Sequence, residues 1–255
     1  MSLLKSLFWL IVLGGLALLV FAWVMPADMA VRWFGARLAP AVMTGVRGTI
    51  WDGHADGVSV FGRDLGEVNW RVDKGPLLRG RMVADLHIRG NDIEATGVAT
   101  RVAPGNYEIR DLRFRLPASL AQPAFDVPAL QLLGNISGVV SQAQWNNGRM
   151  LGAVGNARWS EVGVTGQVEG RFADVVAEFS SKPDGSIGGI VHDSGQGNLE
   201  VNGVFDIKDN LFTAEAKLSA RNNDPAVQEM LRYVGQPQPD GSSHYLLSGQ
   251  LLKLF

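Results

Sequence analysis

The stretch from Arg47 to Val72 constrains the fold most, because it shows the period of a β-strand. Val68, Trp70 and Val72 alternate with polar residues, which is typical of a strand that is buried on one face only. Glycines stand between the strand segments, where tight turns would need them. We therefore predict two short strands joined by glycine-rich turns, with Trp51 on the first strand.

A looser copy of this pattern occurs later in the chain. Gly48 corresponds to Gly138 and Trp70 to Trp159, and the two offsets differ by a single residue. Two matches in register favour a duplicated β unit. We predict a first unit over residues 45–120 and a second over residues 130–255.

The composition narrows the classes of function. Hydrophobic residues make up 46% of the 255 residues and charged residues 19%, which is ordinary for a folded protein. The net charge of −2 gives no general attraction to nucleic acid. The chain has no cysteine, so disulfides and thiolate metal sites are excluded.

An apolar run from Leu7 to Met25 predicts a membrane anchor over residues 1–27. A helix of this length covers a hydrocarbon core of about 30 Å, and Trp9 and Trp23 lie near its two ends, where aromatic belts occur. A cleaved signal peptide is the alternative, but no small-x-small cleavage site follows the run. Lys5 and the short N-terminal tail favour a cytoplasmic N-terminus, with the bulk of the chain on the other side.

Two helices are predicted outside the anchor. Residues 28–44 form a juxtamembrane segment whose helix, Pro26–Leu38, is amphipathic and would contact protein or lipid, or serve as a plain stem. The second helix covers residues 225–234, with Asp224 as N-cap and Pro225 in its first turn.

The remaining elements are predicted strands, because their apolar residues alternate with polar ones. They cover residues 81–89, 111–116, 175–179, 199–207, 212–220 and 244–255, with a proline-rich connection at 117–128 and turns at 182–185 and 208–210. The predicted fold is mainly β: a single N-terminal transmembrane helix is followed by a duplicated antiparallel sheet, half-barrel or jelly-roll-like, with one short C-terminal helix.

No pattern of catalytic, cofactor-binding or metal-ligating residues is predicted. Asp52, His54 and Asp56 form the most suggestive cluster, but a polar turn between glycines explains them better than a metal site. Four tryptophans are interpreted as core residues rather than ligand-stacking ones: Trp51, Trp70, Trp145 and Trp159.

Several segments, taken in order, resemble the type II secretion system protein N family (GspN). They are Pro26-Ala27, Gly45 to Gly53, Gly66-x-Val68-x-Trp70, Leu77-Leu78-x-Gly80, Asp224 to Leu231 and Gly235-x-Pro237-x-x-Asp240-Gly241. The resemblance is strongest at residues 25–90 and 224–252. The second unit has Ser141 where the first has Trp51, so a role tied to that tryptophan is not duplicated.

The resemblance implies a single-pass protein of the bacterial inner membrane with a periplasmic β domain. Such a protein is a non-enzymatic accessory of the apparatus that exports folded proteins across the outer membrane. The implied partners are other inner-membrane components of that apparatus, with the outer-membrane secretin as a further candidate. The resemblance implies no cofactor.

A lipid carrier is the alternative function. An anchor followed by a long sheet with one apolar face also suits a protein that binds acyl chains along Met82, Leu86, Val201 and Phe205. The two functions predict different structures. An apolar face that side chains leave unfilled favours lipid, whereas a closed and packed face favours the secretion subunit.

Overall fold

A single antiparallel sheet of 16 strands dominates the computed structural model, which describes residues 13, 20–21, 23–38, 40–124 and 129–250. Helix α1 (Ala27–Leu38) precedes the sheet and helix α2 (Pro225–Met230) lies near its end. Three 3-10 turns cover Pro76–Arg79, Ala118–Ala124 and Arg221–Asn223. The prediction of a mainly β, antiparallel fold with few helices is confirmed.

The order of strands in the sheet follows their order in the chain almost throughout. The strands are β1 (Ala41–Thr44), β2 (Arg47–Gly48), β3 (Asp52–Val60), β4 (Arg63–Asp73), β5 (Met82–Arg89), β6 (Glu94–Ala103), β7 (Asn106–Pro117), β8 (Leu130–Asn146), β9 (Arg149–Gly166), β10 (Gly170–Arg171), β11 (Val175–Ser181), β12 (Ile187–Asp193), β13 (Leu199–Lys208), β14 (Leu211–Ala220), β15 (Gln236–Pro237) and β16 (Ser243–Gln250). Short strands β2 and β10 pair beside β3 and β9, and β15 follows β16 at the edge.

Two-residue turns explain why neighbouring strands pair. Phe61-Gly62, Asn147-Gly148 and Asp209-Asn210 all have positive φ at both central residues, as type I′ hairpin turns require. Gly62 and Gly148 adopt this conformation without a steric penalty. The turns predicted at 182–185 and 208–210 are confirmed.

The two faces of the sheet differ in chemistry. On one face, which we call the apolar face, an unbroken row of cross-strand partners from β3 to β16 carries only apolar residues and glycine. This row is Ala55, Val68, Ile88, Ala95, Phe114, Gly138, Ala157, Ala177, Val191, Gly203, Ala216 and Tyr245. The neighbouring row on the opposite face begins with His54, Asn69 and His87. The alternation predicted for β4 and β5 therefore specifies the correct faces.

The second half of the sheet curls towards its apolar face. Leu132 of β8 and Leu218 of β14 belong to one buried cluster, although four strands separate β8 from β14 in the sheet. At about 4.8 Å between neighbouring strands, a flat sheet would hold them about 24 Å apart. The curled single sheet corresponds to the half-barrel expectation rather than to a jelly roll, which has two sheets.

The curled half contains both clusters of buried apolar residues. Its larger cluster joins β8, β9, β13 and β14 to Val227 and Met230 of α2. A smaller cluster, Ala143, Ala153 and Ile187, lies at the other end of these strands. Neither cluster takes a described residue from β1 to β7, and the apolar face of β4 to β7 is mostly half-buried.

The N-terminal region contacts the start of the sheet. The Ile50 N–H donates to the Met25 carbonyl oxygen (3.1 Å), Pro26 bridges to Thr49, and Ala27 is buried. The helix predicted over Pro26–Leu38 is present as α1, and its position next to a membrane stays a prediction. Most of the anchor predicted over residues 1–27 lies outside the described residues, and none of the helices described is both long and apolar enough to cross a bilayer.

Several predicted boundaries were inexact. Helix α2 ends at Met230 rather than at residue 234. The strand predicted at 111–116 is the second half of β7, because a bulge at Asp111 (φ 51°) shifts the pairing and reverses the alternation before it. Strand β16 is described as far as Gln250, and residues 251–255 lie outside the described part.

The predicted division into two units stays a prediction. Strands β7 and β8 pair directly, so residues 45–120 and 130–250 belong to the same sheet. The two matched glycines stand in different places, since Gly48 ends the short strand β2 and Gly138 lies in the middle of β8. Trp70 and Trp159 both lie on the apolar face.

Candidate functional site

The curled half of the sheet encloses an apolar hollow of about 430 Å³. Strands β8, β9, β11, β12, β13, β14 and β16 line it, and α2 covers it. The lining side chains include Leu130, Leu132, Ile136, Trp159, Phe172, Val175, Val191, Val201, Phe205, Phe212, Ala216, Leu218, Met230, Val234, Tyr245 and Leu247. Among the described residues that border the hollow, Glu215 alone is charged, and it belongs to a cross-strand row of the opposite face.

Helix α2 closes one end of the hollow. The Asp224 carboxylate accepts hydrogen bonds from the backbone N–H groups of Ala226 (3.0 Å) and Val227 (3.1 Å), which satisfies two N-terminal donors of the helix. Val227 and Met230 are then buried against the strands. The N-cap predicted from the sequence therefore positions the helix over the hollow.

A contact between two hairpin turns lies at the opposite end of these strands. The side-chain nitrogen of Asn210 donates to the Gly148 carbonyl oxygen (2.6 Å), and its oxygen accepts from the Met150 N–H (3.0 Å). Arg149 and Asp209 form an exposed ion pair beside them (3.7 Å). These contacts join the β8–β9 turn to the β13–β14 turn, so the curl is held by direct hydrogen bonds. We call the Asn210 contacts the turn latch.

The apolar face extends beyond the hollow towards β3. The cross-strand row that contains the lining residues Ala157 and Ala177 continues to Phe114 on β7 and to Ile88 on β5. Both of these side chains are half-buried. Of the residues proposed for acyl-chain contact, Val201 and Phe205 line the hollow. Leu86 lies on the apolar face outside the hollow, and Met82 on the same strand is 42% exposed.

The opposite face carries an exposed apolar patch beside a strand edge. Ile190 (50% exposed), Val204 (56%) and Leu246 (56%) lie in one cross-strand row, interrupted by Glu215. They line an outer concavity of about 1040 Å³. In the part of the chain that is described, residues 245–250 of β16 have a neighbouring strand on one side only, which is β14. We call these three side chains and this strand edge the edge patch.

Exposed aromatic residues surround α1 at the other end of the sheet. Trp33 is 61% exposed and its ring centroid lies 6.2 Å from that of Phe21. The Lys74 ammonium lies 4.0 Å from the centre of the Trp23 ring, a cation–π distance. Aromatic rings next to lysine are typical of a membrane–water interface.

The cluster of Asp52, His54 and Asp56 forms a surface network of ion pairs. Arg47 donates to Asp56 (2.5 Å), and Arg71 donates to Asp52 (3.2 Å). Desolvation raises the pKa of Asp56, but hydrogen bonds from Arg47 and His54 outweigh it and hold this pKa below its ordinary value. Within the described ranges, no group of three or more acidic or histidine residues is arranged to hold a metal ion.

The four tryptophans are all half-buried and occupy different places. Trp70 packs over Gly53, where a Cβ atom would lie 2.4 Å from its ring. Trp51 lies near Lys74, and Trp145 packs against the smaller cluster. Trp159 lines the hollow while its indole N–H donates to the Leu133 carbonyl oxygen (2.8 Å).

Sequence reasoning missed the hollow and the turn latch. The alternation shows that each strand has an apolar face, but it does not show whether another layer covers that face. The Asn147-Gly148 pair is a hairpin signal that could have marked one of the two turns. Its contact with Asn210 joins positions far apart in sequence and leaves no local pattern.

Comparison with known proteins agrees with the earlier resemblance. The family model described as "Type II secretion system (T2SS), protein N" matches residues 39–244. The chain is 28% identical over 217 residues to the type II secretion system protein N of Vibrio cholerae serotype O1 (strain ATCC 39315 / El Tor Inaba N16961), covering 82% of this chain and 83% of that protein. No solved structure matches.

Proposed function

This chain belongs to the type II secretion system protein N family, and from that membership we propose that it is a non-enzymatic assembly component of the secretion apparatus. Its role would be to hold other subunits in place through its β domain while folded proteins are exported across the outer membrane. The family match over residues 39–244 is the observation that carries the proposal, because it covers nearly the whole sheet.

The proposed topology is a single membrane pass with a cytoplasmic N-terminus. The apolar run of residues 7–25 supplies the inner-membrane anchor, and the sheet then lies in the periplasm as two consecutive units. The exposed aromatic rings of Trp23 and Trp33 beside Lys74 support a position of α1 at the membrane surface.

The edge patch is the surface that best suits a protein partner. An unpaired strand edge offers a row of backbone donors and acceptors to an incoming strand. Leu246 lies on this edge strand, Val204 and Ile190 lie two and three strands further in, and all three are about half exposed, so a partner that pairs with β16 and covers this face would also bury apolar surface. The proposed partners are other inner-membrane components of the apparatus, with the outer-membrane secretin as a further candidate.

Affinity purification of the full chain from detergent-solubilised membranes tests the proposal. We expect other secretion components to co-purify with the unmodified chain. The substitution Leu246→Lys should reduce their recovery severalfold, because it places a charge in the apolar part of the interface.

Leu151→Lys is the matched control, since Leu151 is 50% exposed and lies outside the edge patch. Equal recovery with both variants would show that the partner binds elsewhere. Failure of the unmodified chain to recover any secretion component would contradict the proposed function itself.

A further inference from the structure

We propose that the apolar hollow binds one acyl chain of a membrane phospholipid, with the headgroup outside the hollow. This binding site is independent of the edge patch, because the two surfaces lie on opposite faces of the sheet. The lining of the hollow, its size and its continuation along the apolar face all support this occupant.

The size of the hollow suits a long hydrocarbon chain. Ligand pockets in proteins measure about 300–1,000 Å³, and the hollow measures about 430 Å³. An engineered apolar cavity of about 150 Å³ is large enough to bind benzene. The hollow therefore has room for roughly three times the hydrocarbon that such a cavity holds.

The chemistry of the lining selects hydrocarbon over water. Aliphatic and aromatic side chains form nearly the whole wall, and the indole N–H of Trp159 is already bonded to Leu133. An apolar cavity of this kind stays dry, because a water molecule inside it finds too few hydrogen-bond partners. An acyl chain loses no hydrogen bonds on entry and gains contact with the wall.

A peptide fits the same hollow poorly. The strands that line it between β8 and β14 are paired on both sides over most of their length, so their backbone groups are not available to an incoming chain. The amide groups of a peptide would be buried there without partners, which is unfavourable.

The apolar face also provides a path between the hollow and the N-terminal end of the sheet. Outside the hollow the row continues through Phe114, Ile88 and Val68 to Ala55 on β3. Strand β3 pairs with β1 and β2, next to α1 and its exposed aromatic rings. A lipid tail could follow this row without leaving an apolar surface.

Photo-crosslinking tests the proposal on the full chain. The protein is reconstituted in phosphatidylglycerol–phosphatidylethanolamine vesicles that contain a phospholipid with a diazirine group near the end of one acyl chain. After irradiation, mass spectrometry maps the labelled residues. We expect label on side chains of the hollow, such as Phe205 and Leu218.

Filling the hollow should remove this label. Ala177 lines the hollow, and Ala177→Phe places a ring in the volume that the lipid tail would occupy. We expect labelling of the hollow to fall about tenfold or more. Val154→Phe is the matched control, because Val154 lies on β9, is 44% exposed and is not among the residues that line the hollow. It should leave labelling of the hollow unchanged.

Other outcomes would overturn the proposal. Absence of label in the hollow of the unmodified chain, or labelling that Ala177→Phe does not reduce, would contradict it. If only a chain that ends at Gln250 is labelled, then residues 251–255 occupy the hollow instead.

Should Ala177→Phe fail to fold by circular dichroism, the smaller change Ala216→Leu replaces it, and undiminished labelling of that variant would likewise contradict the proposal. Co-purification of secretion components is measured separately on each variant, so failure of lipid binding is distinguishable from failure of the proposed function.

Discussion

The buried carboxylate of Asp193 links several elements of the curled half. Its side chain is 6% exposed and accepts hydrogen bonds from the backbone N–H groups of Gly195 (2.8 Å) and Val201 (3.0 Å). Arg221 donates to it at 2.9 Å. Asp193 thus connects the end of β12 to β13 and to the turn that precedes α2. Removing its charge would weaken the bonds that Arg221 and the two backbone donors make to it.

This arrangement predicts a pH dependence of stability. Burial raises the pKa of Asp193, but its hydrogen bonds and Arg221 outweigh burial, so the pKa in the folded protein lies below the ordinary value of 3.8. A carboxylate with a lowered pKa stabilises the fold above its unfolded pKa, and this contribution is lost as the pH falls through the folded value. We expect the free energy of unfolding to decrease below about pH 4.

Urea unfolding at pH 7 and pH 3 measures this contribution. Asp193→Asn should be less stable than the unmodified chain at pH 7, and the difference between the two should shrink at pH 3. Asp209→Asn is the control, because the Asp209 side chain is 67% exposed and its ion pair contributes little. A difference between Asp193→Asn and the unmodified chain that is the same at both pH values would contradict the prediction.

Single residues could be predicted from the sequence where their partners are close in the chain. Asp224 and Pro225 were identified from spacing alone, because an N-cap bonds to backbone groups two and three residues away. The role of Asp193 was not predicted, since its partner Arg221 is 28 residues distant. Asp52, His54 and Asp56 lie on strand β3 rather than in the predicted polar turn, and their arginine partners Arg47 and Arg71 were not predicted.

At the scale of elements, the turn latch holds two hairpins together. We expect Asn210→Gly to destabilise the protein by about 1–2 kcal/mol, because two hydrogen bonds are lost while glycine keeps the positive φ of this position. Equilibrium urea unfolding at pH 7 gives the value. Asn222→Gly is the control, since Asn222 is exposed and also has positive φ (57°). If both variants lower the free energy of unfolding by the same amount, the side-chain hydrogen bonds of Asn210 do not contribute to stability.

Strands and their faces could be predicted from the sequence, but curvature could not. A period of two residues specifies which side chains share a face, and this prediction holds for β4, β5, β13 and β14. Curvature depends on bulges, such as the one between Leu133 and Asn135 in β8, and on contacts between distant turns. One extra residue in a strand changes how the strand bends. The alternation of apolar and polar residues does not show by how much the sheet then curls.

At the scale of the whole molecule, stability should be uneven along the sheet. Both buried clusters lie in the curled half, and β4 to β6 contribute no residue to either of them. Segments with few buried contacts open more easily. We therefore expect the amide hydrogens of β4 to β6 to exchange with solvent about tenfold or more faster than those of β9, β13 and β14, a ratio that corresponds to about 1.4 kcal/mol in the free energy of opening.

Hydrogen–deuterium exchange followed by mass spectrometry measures this difference. Peptides from β5 and β13 are compared within the same sample, so each chain serves as its own reference. Equal protection of the two peptides would indicate that the apolar face of the first half is covered by another surface in solution.

The fold class could be predicted from the sequence, whereas the functional surfaces could not. The glycine-separated strands and the absence of long helical patterns after residue 44 predict a mainly β chain. The edge patch and the hollow both depend on which strand ends the sheet and how far the sheet curls. Residues such as Leu246 and Phe205 have the same apolar character in the sequence, although one faces outward and the other lines the hollow.

The order of the strands has a consequence for how the protein is made. Because almost every strand pairs with the one before it in the chain, a polypeptide that is synthesised from its N-terminus finds each new partner already in place. Loop closure at each step involves only a short segment, which keeps its entropic cost low. Assembly can therefore proceed from the N-terminus, one hairpin at a time. The last long strand to be added is β16, whose outer edge carries no partner beyond residue 244 among the described residues.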